Sequence, residues 1–200
     1  MNPSEPPVLL TAECAGLRDR TLTVRRAYGH AGALSIPTVM IPLAVAAWRW
    51  GPPMALLPLR QAESALLLAA ICLAGSWLHE ALHLLGWKLA ARIGRNAVRL
   101  GWSAGALAPC ALVEVAVPAR AYRFGVALPG LLLGLAPLLA GLTCSSPWLL
   151  WCGILFSVAA LGDALVLLHL RGVPGWHLVR DHPSRARCTV EPEAAPAKRR

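Results

Sequence analysis

His79, Glu80 and His83 form an H-E-x-x-H pattern inside an apolar run from about Ser64 to Leu89. On an α-helix, residues four apart share one face, so the two imidazoles can present nitrogens to a single metal ion. Glu80 lies about 100° round the helix from His79, near enough to reach a water activated by that ion but not placed as a third ligand. Metal-assisted hydrolysis needs that division of labour: neutral nitrogens hold the ion, and a carboxylate takes the proton. Each residue alone has a plainer reading, as a hydrogen-bonded helix side chain or its partner. Ionisable groups in a membrane-length apolar segment are costly, however, and they usually mark functional sites. Zn2+ is the default ion for such ligands.

The elements that must position these residues are apolar helices. Four apolar runs are visible, at about Ala31 to Trp48, Ser64 to Leu89, Gly125 to Thr143 and Trp148 to Leu168. Each is near the length that crosses a bilayer as a helix. Pro37 and Pro42 would kink the first, which a membrane helix tolerates when neighbours satisfy the freed carbonyls. Between the second and third runs, Val98 to Trp102 and Ala106 to Val117 are short, alternating and β-branched, which predicts two or three short strands. Gly130 and Gly134 form a G-x-x-x-G that allows close helix packing in lipid. The expected fold is therefore mainly α: a polytopic membrane protein with about four transmembrane helices and a short β-hairpin-like insertion between helices two and three. Residues 1–28 read as a polar basic arm, 29–188 as the membrane metallopeptidase-like domain, and 189–200 as a disordered basic tail. Thr21 to Val24 could form a short strand or turn.

Composition agrees with this class. The chain is 56% hydrophobic and only 14% charged, with a mean hydropathy of +0.55, values that favour a membrane protein over a soluble one. The net charge of +9 raises nucleic-acid binding. The basic residues lie between apolar runs rather than on one amphipathic face, which fits anionic lipid and membrane topology, so no nucleic acid is expected as a partner. Six cysteines include no C-x-x-C pair, and no disulfide framework is read from them. The first thirty residues are polar and broken by Pro3, Pro6 and Pro7, so no cleavable signal peptide is expected.

Lys and Arg number four in the N-terminal arm, two in the first loop, six from Lys88 to Arg123, none around Ser145 and seven from Arg171 onward. Basic segments alternate with poor ones, which places both termini in the cytoplasm. Helices two and four then run in the same direction. His79 lies fifteen residues after Ser64 and Asp163 fifteen after Trp148, so the two share a depth. Glu80 and Asp163 are the acids deep in the expected spans. Asp163 is thus the favoured third metal ligand, because an anion offsets the ion's charge where solvent is scarce. A helix-bonded Asp163 is the plainer alternative, and Glu114 and His182 are lesser ligand candidates. His30, His169 and His177 read as interfacial.

Three stretches carry a resemblance. They are His79-Glu80-Ala81-Leu82-His83; Pro118 to Arg123 with Leu128-Pro129-Gly130 through Pro137; and Gly162-Asp163 followed by Asp181-His182-Pro183-Ser184. Together they resemble the zincin membrane peptidases known as DUF3267, a family itself similar to the site-2 protease class of intramembrane metalloproteases. The resemblance implies a zinc site of His79, His83 and Asp163, with Glu80 as the catalytic carboxylate. Site-2 proteases carry an Asp followed by Gly in their second motif, whereas the order here is Gly162-Asp163, so the role of Asp163 transfers by its position in the helix.

The sequence accordingly predicts an integral membrane zinc metalloprotease of the cell membrane, lodged in the lipid bilayer and cutting a membrane-associated protein substrate. The alternative is a non-catalytic membrane scaffold or regulator that keeps a structural metal site. A metal transporter is a third, less favoured reading.

Overall fold

The computed structural model describes residues 24–103, 108–181 and 188–190. Its first helix, α1 (Val24–Trp50), takes in the first apolar run and begins inside the stretch read as the polar arm. Pro37 and Pro42 lie within it without ending it. Gly51, at φ 83°, makes the left-handed turn that ends the helix. Pro52 then opens the short α2 (Pro52–Ala55), where its missing N–H is no loss. The motif helix α3 (Ala62–Ala91) runs unbroken for 30 residues.

The expected insertion follows. β1 (Val98–Ser103) and β2 (Ala108–Val113) pair antiparallel, with Val98 opposite Val113 and Ser103 opposite Ala108. The hairpin folds back along α3 rather than merely joining two helices. Trp102 stacks on Trp77 with ring centroids 6.1 Å apart, and β2 passes Glu80. The hairpin thus retraces about 21 Å of α3 from its C-terminal end.

β3 (Val117–Pro118) leads into α4 (Ala119–Pro129), a π-helical segment Gly130–Leu135 and α5 (Ala136–Cys144). These three helical pieces are continuous over 26 residues. The π segment ends beside Pro137, which has no N–H for the carbonyl four residues back, and such gaps let the ladder slip. A Cβ on Gly134 would stand 2.9 Å from Ser157 Oγ and 3.1 Å from its backbone nitrogen. The small residue is what allows this close approach.

The fourth run differs from the single helix expected over Trp148 to Leu168. It forms α6 (Pro147–Ala159) and α7 (Leu161–Leu170), bent by 47° at Ala160. Gly162, just past the break, has no side chain to favour a straight helix. Asp163 therefore sits in the first turn of α7 and not mid-helix. A helix N-terminus favours a carboxylate there.

Three helices, Ala31–Trp50, Ala62–Ala91 and Ala119–Cys144, are long and apolar enough to cross a membrane, and the bent pair accounts for the fourth run. Side chains such as Ile36, Met40, Leu66 and Leu73 are exposed on them, as suits lipid. The chain after α7, polar and basic in sequence, forms β4 (Leu178–Asp181) and β5 (Cys188–Val190), in an antiparallel sheet of order β3-β4-β5. Strands of two to four residues are too short to show alternation, and the partner of β4 lies far back in the chain. β5 also extends past the expected domain boundary at residue 188.

One apolar cluster, including Trp87, Val113, Val117, Tyr122 and Val179, joins α3, both sheets and α4. A second, of Ala46, Ala55, Leu150 and Ile154, joins α1, α2 and α6.

Candidate metal centre

α3 brings His79 and His83 to one face one turn apart. They are the buried polar residues among those described, at 7% and 5% exposure. Their rings meet edge to face with centroids 4.9 Å apart. One ligand atom from each of His79, Glu80 and His83 lies within 4.8 Å of the other two. Asp163 enters from α7: its Oδ2 is 3.0 Å from His79 Nε2 and 3.5 Å from His83 Nε2. Asp163 and His79 are hydrogen-bond neighbours, brought together across the bend between α6 and α7 rather than by equal counts along two straight helices.

Two glycines let α4 reach this site. A Cβ on Gly86 would stand 2.7 Å from Gly125 Cα, and a Cβ on Gly125 would run into the Trp87 indole. With neither Cβ present, α3 and α4 cross closely enough for the Gly125 carbonyl to accept from His83 Nδ1 at 2.9 Å. Behind His83, the Trp87 ring stacks at 5.6 Å, and Tyr122 stacks on Trp87 at 5.6 Å. Trp87 Nε1 donates to the Tyr122 carbonyl at 3.1 Å.

The donor set fits a divalent cation. With Nδ1–H committed to Gly125, a neutral His83 carries its lone pair on Nε2. That lone pair, the Nε2 of His79 and a carboxylate oxygen all converge. Such a cluster of acceptors is stable only with a proton or a cation between them. Two nitrogens and one carboxylate oxygen are ligands that zinc takes. His79 Nδ1 is buried without a partner among the described residues.

Glu80 faces the hairpin. Its Oε2 accepts from the Ala111 N–H of β2 at 2.6 Å. Two residues along the same strand edge, the Val113 N–H donates to Asp181 Oδ2 at 2.9 Å. The Tyr122 hydroxyl donates to the other oxygen of Asp181 at 2.5 Å.

Glu114, a lesser ligand candidate, is exposed and paired with Arg99 at 3.5 Å, outside this group. His182 lies outside the described residues. His169 donates through Nδ1 to the Leu165 carbonyl on its own helix. Gly125, Trp87 and the Ala111 amide were not anticipated at the site. Trp87, four residues after His83 on the same helix face, was the one with a readable signal. Tyr122 and Asp181 stood out as motif residues without a role.

Fold and site define a mainly helical protein with membrane-length apolar helices and a His-Glu-His group, its two histidines buried, that could hold a metal ion. The chain matches the family described as "Putative zincin peptidase" (DUF3267) over residues 72–176, more than half of its length, and belongs to that family. That membership supports a metallopeptidase of the zincin type, a class whose metal is usually zinc. Neither the curated proteins nor the solved structures include a significant match.

Proposed function

We propose that the chain is a membrane-embedded zinc metalloprotease that hydrolyses a peptide bond of a membrane-associated polypeptide. The observation that carries this reading is the convergence of His79 Nε2, His83 Nε2 and Asp163 Oδ2 beside the Glu80 carboxylate. A zinc ion held by His79, His83 and Asp163 would supply Lewis acidity and lower the pKa of a water toward 7. Glu80 accepts the proton of the attacking water and returns it to the leaving amine. His83 is kept in the ligating tautomer by Gly125. Asp163 contributes the negative charge that two neutral imidazoles lack.

An extended substrate would add as a strand to the hairpin at the outer edge of β1, because the outward Ala111 and Val113 amides of β2 are held by Glu80 and Asp181. Four spans, with α6 and α7 counted as one, and both termini in the cytoplasm follow from the alternation of basic loops. The membrane is then the cell membrane, and the bilayer and a membrane-anchored polypeptide are the partners.

One contact favours the alternative of a scaffold with a structural metal. The bond from Ala111 to Glu80 ties the hairpin to α3, a purely structural use of the same carboxylate. Detergent-purified wild type, a His79→Ala/His83→Ala double variant and Glu80→Gln separate the two readings. The protease reading expects about one zinc per chain in wild type and Glu80→Gln, and none in the double variant. It expects cleavage of a single-span test substrate by wild type only, because an amide cannot take the proton. Zinc retained by the double variant removes the metal site. Cleavage by Glu80→Gln removes the assigned base.

A further inference from the structure

The outer edge of β2 is held at two successive outward amides by two carboxylates from different parts of the chain. Ala111 N–H donates to Glu80 of α3, and Val113 N–H donates to Asp181 of β4. In an antiparallel pair, alternate amides face the partner strand, so those of Cys110 and Leu112 point to β1 while Ala111 and Val113 point away. The two held positions are about 7 Å apart along one strand. Asp181 does not stop at the hairpin. Its second oxygen takes the Tyr122 hydroxyl, and the Tyr122 ring stacks on Trp87, which stacks on His83.

We propose that Asp181 is a positioning residue for the candidate metal centre: it fixes the register of β2 against Glu80 and, through Tyr122, braces the aromatic stack behind His83. The physical reasoning is short. A two-stranded hairpin is marginal by itself and needs outside support to keep one placement. The Glu80 bond and the Trp102–Trp77 stack tie the hairpin to α3. Asp181 adds a hydrogen bond from β4, two residues along β2 from the Glu80 contact, so the register of the strand is set from a second element. Asp181 can serve because it is itself tied down: β4 pairs with both β3 and β5. Burial pushes its carboxyl above the ordinary range, while Tyr122 and Val113 pull it back by hydrogen bonding. Both of its oxygens are committed, so it acts through its neighbours and does not reach the reacting atoms. Which hairpin placement presents Glu80 to substrate rests on the protease reading, but the hairpin's dependence on Asp181 does not.

The test is residue-resolved amide hydrogen exchange on the full-length protein in detergent, which requires neither metal nor substrate. Asp181→Ala is expected to speed exchange at Val113 by at least about 10-fold, the scale for losing a buried bond to a charged acceptor. If Asp181 positions the strand, Ala111 also speeds up although its own acceptor, Glu80, is intact, while Leu112 stays slow within the hairpin. A rise at Val113 alone overturns the proposal and leaves Asp181 as a local clip between sheets. If Asp181→Ala loosens the whole hairpin, Tyr122→Phe decides. It removes one hydroxyl, keeps the Val113 bond and the ring stack, and is expected to raise exchange at Ala111 and Val113 by a smaller factor. Wild-type exchange at both amides in Tyr122→Phe overturns the role of the Tyr122 hydroxyl in holding Asp181 against β2. Zinc content is measured on the same samples and on His79→Ala/His83→Ala. Zinc still held by His79→Ala/His83→Ala alongside the expected exchange pattern would refute the protease reading and leave the positioning role standing.

Discussion

Gly86→Ala tests how the helix crossing sets up the metal centre. The added Cβ would sit 2.7 Å from Gly125 Cα, against backbone that cannot turn aside as a side chain can. Carbon atoms pack at about 3.5–4.0 Å, so α3 and α4 must part by roughly 1 Å at this point. The His83 Nδ1 to Gly125 O distance, 2.9 Å in the native crossing, would lengthen to roughly 3.9 Å, beyond a hydrogen bond. Overpacking of this size costs about 1–3 kcal/mol of stability, which a folded membrane domain can tolerate. The functional loss is larger in proportion. Removing the outer partner of a metal-ligating histidine typically lowers metal affinity about 10–100-fold, because ring orientation and tautomer are no longer fixed. The assay is zinc affinity by competition with a chromophoric chelator, with thermal unfolding of the zinc-free protein measured alongside. Gly94→Ala is the control, since nothing lies within 4 Å of the Cβ it would add. A folded Gly86→Ala protein that binds zinc as tightly as wild type would refute the reasoning, because His83 would then need neither the close crossing nor the Gly125 carbonyl.

Two further outcomes follow from the same geometry. Asp163→Asn keeps the size of the side chain and removes its charge. It should weaken zinc binding at least about tenfold, judged by the scale of outer-shell changes, whereas exposed Glu114→Gln should not alter it; the opposite pattern would move the third ligand into the hairpin. Reporter fusions after Pro52 and near Ser145 should read as outside, and fusions near Ala104 and after Arg187 as cytoplasmic. A reversed pattern would overturn the reading of the basic loops.

Much of the site is legible in the sequence because its spacing is local. His79 and His83 share a face by helical periodicity alone, and an uninterrupted apolar run dictates the 30-residue α3. Asp163 is legible as an acid in an apolar run, but its place beside His79 comes from the break at Ala160, which a count along a straight helix does not contain. The hairpin announces itself by alternation between Val98 and Val113.

What only tertiary structure decides is which backbone atoms meet those side chains. The Gly125 carbonyl beside His83 and the Ala111 amide on Glu80 are groups that nearly every residue owns, so no residue type marks them in advance. The break at Ala160 belongs to the same class. The fifteen residues before Asp163, nearly all apolar, read as one helix, whereas the fold bends them by 47° at Ala160, where the run packs closely against Gly130 and Gly134. Asp181 is the sharpest case. In sequence it opens a polar stretch far from the histidines, while in the fold strand pairing carries it to β2 and Tyr122. Local periodicity is written in neighbouring residues, but contacts closed over a long stretch of chain exist only once the whole core has formed around them.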